Sequence, residues 1–348
     1  MKKSLIALAV LAASGAAMAQ SSVTLFGIVD TGVSYVDNVD AAGNNKYGLH
    51  NSGNATSRIG FRGVEDLGGG LKAGFWLEGE VFADDGTTGG LNFKRRSTLS
   101  LMGNFGEVRL GRELTAGYSK TSSYDVFGQV GIGQFSAWSN WDGAVATGDE
   151  SGVRSNNLVS YYTPNFSGFK AGVSYGFDEQ VGSKAGRYAG GNVSYDNGPL
   201  SAAVSYDRVN IVGGERDAVA IGGSYNFGVA KLSGIAQQVK YSYNGIARDN
   251  KYNNYALGVT APVGGAGEVK LQYALYDQKA IDAKAHQLSL GYVHSLSKRT
   301  AVYSTVSYLK NKDGSAMGLS AKGLTGSMLA GVRNESQTGV QVGIRHAF

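Results

Sequence analysis

Polar and apolar positions alternate with a period of two along most of this chain. In Gly339–Phe348, Val340, Val342, Ile344, His346 and Phe348 alternate with Gly339, Gln341, Gly343, Arg345 and Ala347. Val269, Leu271, Tyr273 and Leu275 alternate with Lys270, Gln272, Ala274 and Tyr276, and Leu200, Ala202, Val204 and Tyr206 with Ser201, Ala203, Ser205 and Asp207. His286, Leu288, Leu290 and Tyr292 repeat the pattern. Successive side chains of a strand point to opposite faces. Each such segment therefore predicts a strand with one apolar face, aromatic near its ends, and one small or polar face.

A soluble sandwich also alternates, so the spacing between strands has to decide the class. The pattern predicts sixteen strands, at 23–36, 57–66, 71–81, 95–102, 106–112, 157–162, 169–176, 188–196, 199–207, 217–226, 230–238, 253–262, 267–276, 285–294, 300–309 and 339–348. Their connections are expected to alternate strictly between short and long. The short ones carry turn residues, as in LGGG at Leu67–Gly70, GNF at Gly103–Phe105 and NGP at Asn197–Pro199, and the long ones are polar and variable. An even number of strands of about ten residues, with tight turns on one side and long loops on the other, is the pattern of an outer-membrane barrel. In lipid every backbone N–H and C=O needs an internal partner, so the sheet must close on itself. The expected fold is all-β: a sixteen-stranded antiparallel transmembrane β-barrel, too wide for side chains to fill, whose lumen admits water.

Composition sharpens this picture. There are 53 Gly, 20 Tyr and 13 Phe but only 3 Pro and no Cys. Interior glycine disfavours helices by about 1 kcal/mol each, whereas aromatic residues suit pleated surfaces. Without cysteine there is no disulfide, thiolate or cysteine-metal chemistry. Lys2 and Lys3 followed by the apolar run Leu5–Leu11 and the small-residue site Ala17-Met18-Ala19 read as a signal peptide over 1–19, with the exported chain expected to be 20–348. Its first strand begins at about Val23, which leaves no room for an N-terminal plug domain. Removing Lys2 and Lys3 lowers the formal charge from +5 to +3, with 30 basic against 27 acidic residues and no basic stripe. Nucleic acid is therefore not an expected partner.

Enzyme readings find little support. The four histidines, His50, His286, His294 and His346, fall in a loop, on the lipid face, at a turn and beside the C-terminus. No H-E-x-x-H, G-x-S-x-G or G-x-x-x-x-G-K occurs, and Gly runs such as GVEDLGGG are turns with no helix after them. Neither an enzyme activity nor a metal or other cofactor is expected.

Several longer segments carry a family resemblance. SSVTLFGIVDTGVSY (Ser21–Tyr35), SRIGFRGVEDLGGGLKAGFWLE (Ser57–Glu78), RRSTLSLMGNFGEVRLGRE (Arg95–Glu113), RSNNLVSYYTPNFSGFKAGVSY (Arg154–Tyr175) and the terminal GVQVGIRHAF (Gly339–Phe348) span the chain in order. Together they resemble the general trimeric porins of Gram-negative bacteria, in particular the β-proteobacterial branch. The resemblance implies an outer-membrane homotrimer with one pore per subunit, in contact with lipid and lipopolysaccharide. It implies that Phe348 is a signal to the barrel-assembly machinery, and that small ions and polar solutes diffuse through the pore. It also implies that the third long connection, 114–153, folds into the barrel as a constriction loop. The loop's own composition agrees, since Phe127, Phe135, Trp138 and Trp141 are an apolar load unsuited to water.

A water-filled pore selects by width and by the field across it. With Ile59 and Phe61 toward lipid, Arg58 and Arg62 face inward, and both match basic positions of the family's SRIGFRG segment. Arg95 and Arg154 match basic family positions, whereas strand parity favours Arg96 over Arg95, so both are retained. Arg112 sits where the chain enters the loop and is a sixth basic candidate. The acidic candidates are Glu113 at the loop's base and Asp125, Asp142, Asp149 and Glu150 within it. After Tyr124-Asp125 the chain runs on as Val126-Phe127-Gly128, without the second acid and proline common in the family. The expected function is passive diffusion of small hydrophilic solutes and ions with a mild anion preference. The alternatives are a substrate-specific channel, for which Tyr118 and the loop aromatics would supply stacking surfaces, and a non-conducting structural or adhesive barrel. Small lumen-facing residues disfavour the last, since they cannot fill so wide a barrel.

Overall fold

The computed structural model describes residues 22–86, 92–137, 151–245, 250–320 and 331–348. The expected signal peptide lies outside these residues.

Strands β1 (Ser22–Val36), β2 (Lys46–Asn51), β3 (Arg58–Gly68), β4 (Leu71–Glu80), β5 (Arg96–Gly103), β6 (Gly106–Leu114), β7 (Arg154–Tyr162), β8 (Phe169–Gly176) and β9 (Tyr188–Asn197) make the first half of one antiparallel sheet. The second half is β10 (Leu200–Ile211), β11 (Gly214–Asn226), β12 (Lys231–Tyr243), β13 (Asn250–Val263), β14 (Gly267–Gln278), β15 (Ala283–Ser295), β16 (Thr300–Lys312) and β17 (Ser336–Ala347). β1 closes the sheet. One of its edges pairs with β17, from Ile28–Ala347 to Val36–Gly339, and the Phe348 N–H and C=O exchange hydrogen bonds with Gly27.

The barrel has sixteen staves because β2 and β3 are two pieces of one. On the other edge of β1, β3 pairs with Ser22–Ile28 and β2 with Thr31–Val36. The expected sixteen segments each coincide with a stave, but the piece at 46–51 was not among them. Between the two pieces, residues 52–57 leave the ladder and wrap a buried carboxylate. Asp30 accepts N–H bonds from Gly53 (3.2 Å), Asn54 (2.9 Å) and Ala55, and the Tyr303 hydroxyl donates to it from across the barrel seam. His50 Nε2 meets the same hydroxyl at 2.7 Å, and His50 Nδ1 meets Ser34 Oγ at 2.8 Å.

The turn pattern holds on one side and needs correction on the other. Two connections on the long-loop side are short: Val212–Gly213 joins β10 to β11, and residues 279–282 join β14 to β15. The polar residues read there as loop belong to the strands, which run past the apolar band as hairpins. Outside lipid the sheet continues to satisfy its backbone groups, and no apolar face is required to mark it.

The two faces separate as the alternation predicts. Val204, Ile221, Leu257, Leu271, Leu288, Leu290, Val306 and Val342 are exposed on the outside, while Ser160, Ser205, Gln237, Asn254, Gln272, Gln287, Ser307 and Gln341 are buried on the inside. Burial of the inner face comes largely from one segment. After β6 a single helical turn, α1 (Ala116–Ser119), capped by the Thr115 hydroxyl on Tyr118 N–H, leads into residues 121–137, which lie against the inner wall. Phe135 stacks on Tyr276 with ring centroids 5.7 Å apart, and Ile132, Phe135 and Tyr276 are all fully buried.

Candidate functional site

The inner wall from β3 to β7 carries a dense cluster of charge inside the barrel. Arg58 and Arg62 project from β3, Trp76 and Glu78 from β4, Arg96 from β5, and Glu107, Arg109 and Glu113 from β6. Arg154 opens β7. Arg95 precedes the first residue of β5, so its direction is not fixed by strand parity, and it joins Arg96 on the same wall. Two adjoining recesses of about 400 and 340 Å³ share Trp76, Arg96 and Arg109. Their linings bring together six guanidinium groups (Arg58, Arg62, Arg95, Arg96, Arg109 and Arg154) and three carboxylates (Glu78, Glu107 and Glu113), an excess of three positive charges.

The carboxylates do not neutralise the arginines one for one. Glu78 accepts from Arg95 Nε at 2.6 Å and from Trp76 Nε1 at 3.1 Å, and lies 4.0 Å from Arg58. Arg109 is held by Glu107 at 2.8 Å and by Glu113, with Arg96 3.9 Å from Glu113. Aromatic faces do the remaining positioning. The Arg62 guanidinium carbon lies 5.1 Å from the centroids of both Phe26 and Trp76, Arg96 lies 4.6 Å over Trp76, and Arg109 lies 4.6 Å over Tyr162. A stacked guanidinium is fixed in place through its π-face while its N–H edges stay available, which a carboxylate partner does not allow. The wall therefore pairs Arg95 and Arg109 with carboxylates but positions Arg62 over aromatic faces without a counter-charge.

The other expected site residues fall elsewhere. Arg112 faces outward, in the row of Leu110, and donates to the Lys94 carbonyl at 2.6 Å and to Asn156 Oδ1 at 2.8 Å. The cause is plain parity, since Arg109 and Arg112 are an odd number of residues apart on one strand. Asp125 is buried inside the loop. It accepts from the backbone N–H of Phe127, Gln129 and Phe135 and from the side-chain amides of Gln129 and Gln272, and burial pushes its carboxyl above its ordinary value against their pull. It organises the loop and presents no free charge to the lumen. Asp142, Asp149 and Glu150, with Trp138 and Trp141, lie outside the described residues. Glu113 is on the basic wall itself, among the arginines. The sequence reading missed Arg109, Glu107, Glu78, Trp76 and Tyr162. Arg109 was within reach: with Val108 and Leu110 outward, alternation turns it inward.

The loop meets the rest of the inner wall mainly through neutral groups. Gly117 N–H donates to the Tyr188 hydroxyl, Val126 N–H to Gln272, Ile132 N–H to Gln341 and Ser136 N–H to the Tyr276 hydroxyl, and Gln287 donates to the Ile132 carbonyl. Two charged contacts join them: Lys120 pairs with Asp196 of β9 at 2.7 Å, and at the loop's base the buried pair Arg216–Asp207 (2.7 Å) packs against both Gly117 and Gly152, leaving neither room for a Cβ.

A closed sixteen-stave barrel with a charged inner wall and a segment packed across its interior is matched by one known family. The sequence model described as Gram-negative porin covers residues 5–314. The chain belongs to the Gram-negative porins. Outer membrane porin protein 32 of Delftia acidovorans is 64% identical over the full length of both chains, and an outer membrane porin protein of Bordetella pertussis is 34% identical, again over all of both. Among solved structures, one described as an anion-selective porin from Comamonas acidovorans superposes with a TM-score of 0.89 at 61% identity, over 94% of this chain and 100% of that one. The trimer form of OmpT from Vibrio cholerae shares the fold at a TM-score of 0.72 and 16% identity, covering 94% and 99%. This porin is therefore an outer-membrane protein, and its barrel is a channel for passive diffusion.

Proposed function

We propose that this porin conducts small hydrophilic solutes with a preference for anions, set by the arginine wall of β3–β7. The observation that carries the proposal is the excess of three positive charges along one stretch of the inner wall, where Arg62 and Arg96 are positioned over aromatic faces. In a narrow, low-dielectric passage such a field raises the local anion concentration and repels cations. The solved relative described as anion-selective, at 61% identity, supports the same sign. The segment 114–153 acts as the constriction loop, which narrows the lumen opposite the arginines. The functional unit is a homotrimer in contact with outer-leaflet lipid, and Phe348 serves as the recognition residue for barrel assembly. The chain has no catalytic role.

The test is single-channel recording of the purified porin in a planar bilayer under a salt gradient. The expected result is large open steps, closing in threes at high voltage, with a reversal potential of the sign that reports anion flow. A cation-selective reversal potential overturns the proposed selectivity, and silence from a folded oligomer overturns the open channel.

A further inference from the structure

One residue holds the break in the second stave. Residues 52–57 leave the ladder between β2 and β3, and their backbone groups turn to Asp30, which is itself fully buried. Ser52 N–H donates to the Asp30 carbonyl at 2.8 Å, and the N–H groups of Gly53, Asn54 and Ala55 donate to its carboxylate. Ser57 Oγ closes the other end. It donates to the Asp30 carbonyl and accepts from the Asp30 N–H, each at 2.9 Å. The Tyr303 hydroxyl braces the carboxylate from β16 and meets His50 Nε2 at 2.7 Å. A segment tied in this way to one residue of a paired strand keeps the position that residue gives it.

The two ends of this break reach different parts of the site. Near its start, Gly53 carries the loop tip. Gly131 sits so close to the Gly53 carbonyl that a Cβ there has no space, and its φ of +67° suits glycine. Beside this contact Ile132 N–H donates to Gln341 Oε1 at 3.0 Å. At its far end, Ser57 leads directly into Arg58, whose guanidinium stands 4.0 Å from Glu78 on the arginine wall. The break thus supports the loop with one end and carries an arginine of the wall with the other.

We propose that Asp30 is a positioning residue for the constriction: by holding residues 52–57 it sets where the loop tip and the Arg58 guanidinium stand. This rests on the reading above that the loop narrows the lumen opposite the arginines. Asp30 is buried out of reach of a permeating ion, so it acts only through the segment it holds. Asparagine in its place exposes the link. Oδ1 receives the Gly53 N–H and the Tyr303 hydroxyl, and Oδ2 receives the N–H groups of Asn54 and Ala55. Whichever way the amide turns, its N–H₂ faces two donors and their bonds are lost.

The experiment records single-channel conductance and salt-gradient reversal potential for the native porin and for Asp30→Asn, Tyr303→Phe, Gly131→Ala and the Asp30→Asn/Gly131→Ala pair. Asp30→Asn is expected to give a larger, noisier conductance. It should also lower the anion-to-cation permeability ratio about 1.5-fold, the effect of moving a unit charge from about 6 to about 9 Å from the ion in a water-like dielectric. Tyr303→Phe removes one donor and leaves the three N–H bonds, so both readings should shift the same way by less. Gly131→Ala disturbs the loop side alone and should change conductance at the native permeability ratio. Asp30→Asn and Gly131→Ala break one and the same contact, so the pair should conduct as Asp30→Asn does alone. Native values of both readings in Asp30→Asn overturn the proposal, as does a conductance in the pair that sums the two single changes. If Asp30→Asn does not assemble, native values of both readings in Tyr303→Phe overturn it. A lowered heat-modification temperature with unchanged conductance and ratio marks a role in barrel stability alone and also overturns it. The native recordings test the channel proposal by themselves, and only the variant-to-native ratios test Asp30.

Discussion

The two halves of the inner wall are built from different chemistry. From β3 to β7 it carries six guanidinium groups, of which Arg62, Arg96 and Arg109 lie over aromatic faces, and three carboxylates. From β8 to β17, where the loop packs, most contacts come from Ser174, Tyr188, Ser205, Gln272, Tyr276, Gln287 and Gln341, and the charged ones, Asp196 and the Asp207–Arg216 pair, sit near the loop's start and base. Apart from Ser205, which meets the Thr121 hydroxyl, the neutral groups pair with backbone groups of the loop. The difference is one of task. A docking surface must leave no buried polar group unpaired, and neutral amides and hydroxyls achieve this without the desolvation cost of an ion. A surface past which ions move must keep its charge uncancelled, and stacking positions arginine without a counter-charge.

That comparison can be broken most severely on the docking side. Asp125→Ala removes one acceptor and leaves three backbone N–H groups and two amide groups without their buried partner. Each unpaired buried group costs about 1–3 kcal/mol. The expected outcome is a loop that opens: noisy, enlarged single-channel conductance and rapid proteolysis within 116–137, with the barrel's heat-modifiable mobility preserved. Next in size, Gly152→Ala forces a Cβ to within 2.6 Å of Arg216 Nη1 at a residue whose φ is +73°. The loop's base should shift, and conductance should change without loss of the anion sign.

On the conducting side the effects are smaller and graded. A unit charge about 6 Å from a passing ion in a water-like dielectric contributes roughly 0.7 kcal/mol, or about threefold in relative permeability. Arg58→Gln should therefore move the reversal potential toward cations by about that factor, and Glu78→Gln should move it the other way. An unchanged reversal potential in Arg58→Gln would remove Arg58 from the permeation path. The finest test is Arg96→Lys, which keeps the charge but gives up the guanidinium stacking on Trp76. If stacking positions the charge, selectivity weakens partially in this variant. If charge alone matters, it stays as it was.

The staves were legible in the sequence because lipid outside and water inside enforce alternation on every strand. The stave broken at 52–57 was only half legible. Tyr47 and Leu49 do alternate, but the polar run that follows them takes its shape from Asp30 and Tyr303, residues distant in sequence. The basic wall was readable where parity applied, as for Arg58, Arg62 and Arg96, and parity also reached Arg109, which went unread. It misplaced Arg112 because that residue was weighed by its nearness to the loop and not by its register. Asp125 shows the limit of reading charge by type: an acid in a loop looks like a pore residue until its donors are known, and those donors include Gln272 of a strand folded much later in the chain.

The seam between β1 and β17 bears on how the barrel comes to exist. Most staves pair with a neighbour in sequence and can form hairpin by hairpin. The last pairing joins Ile28 to Ala347, 319 residues apart, and cannot begin until the final strand has been made. Closing so long a loop adds only logarithmically to its entropy cost, but it places the decisive contact at the end of folding. A chain cut before Ser336 is therefore not a smaller barrel. It is an open sheet whose β1 and β16 edges both lack partners, and the surface most complementary to each is the edge of another unfinished copy.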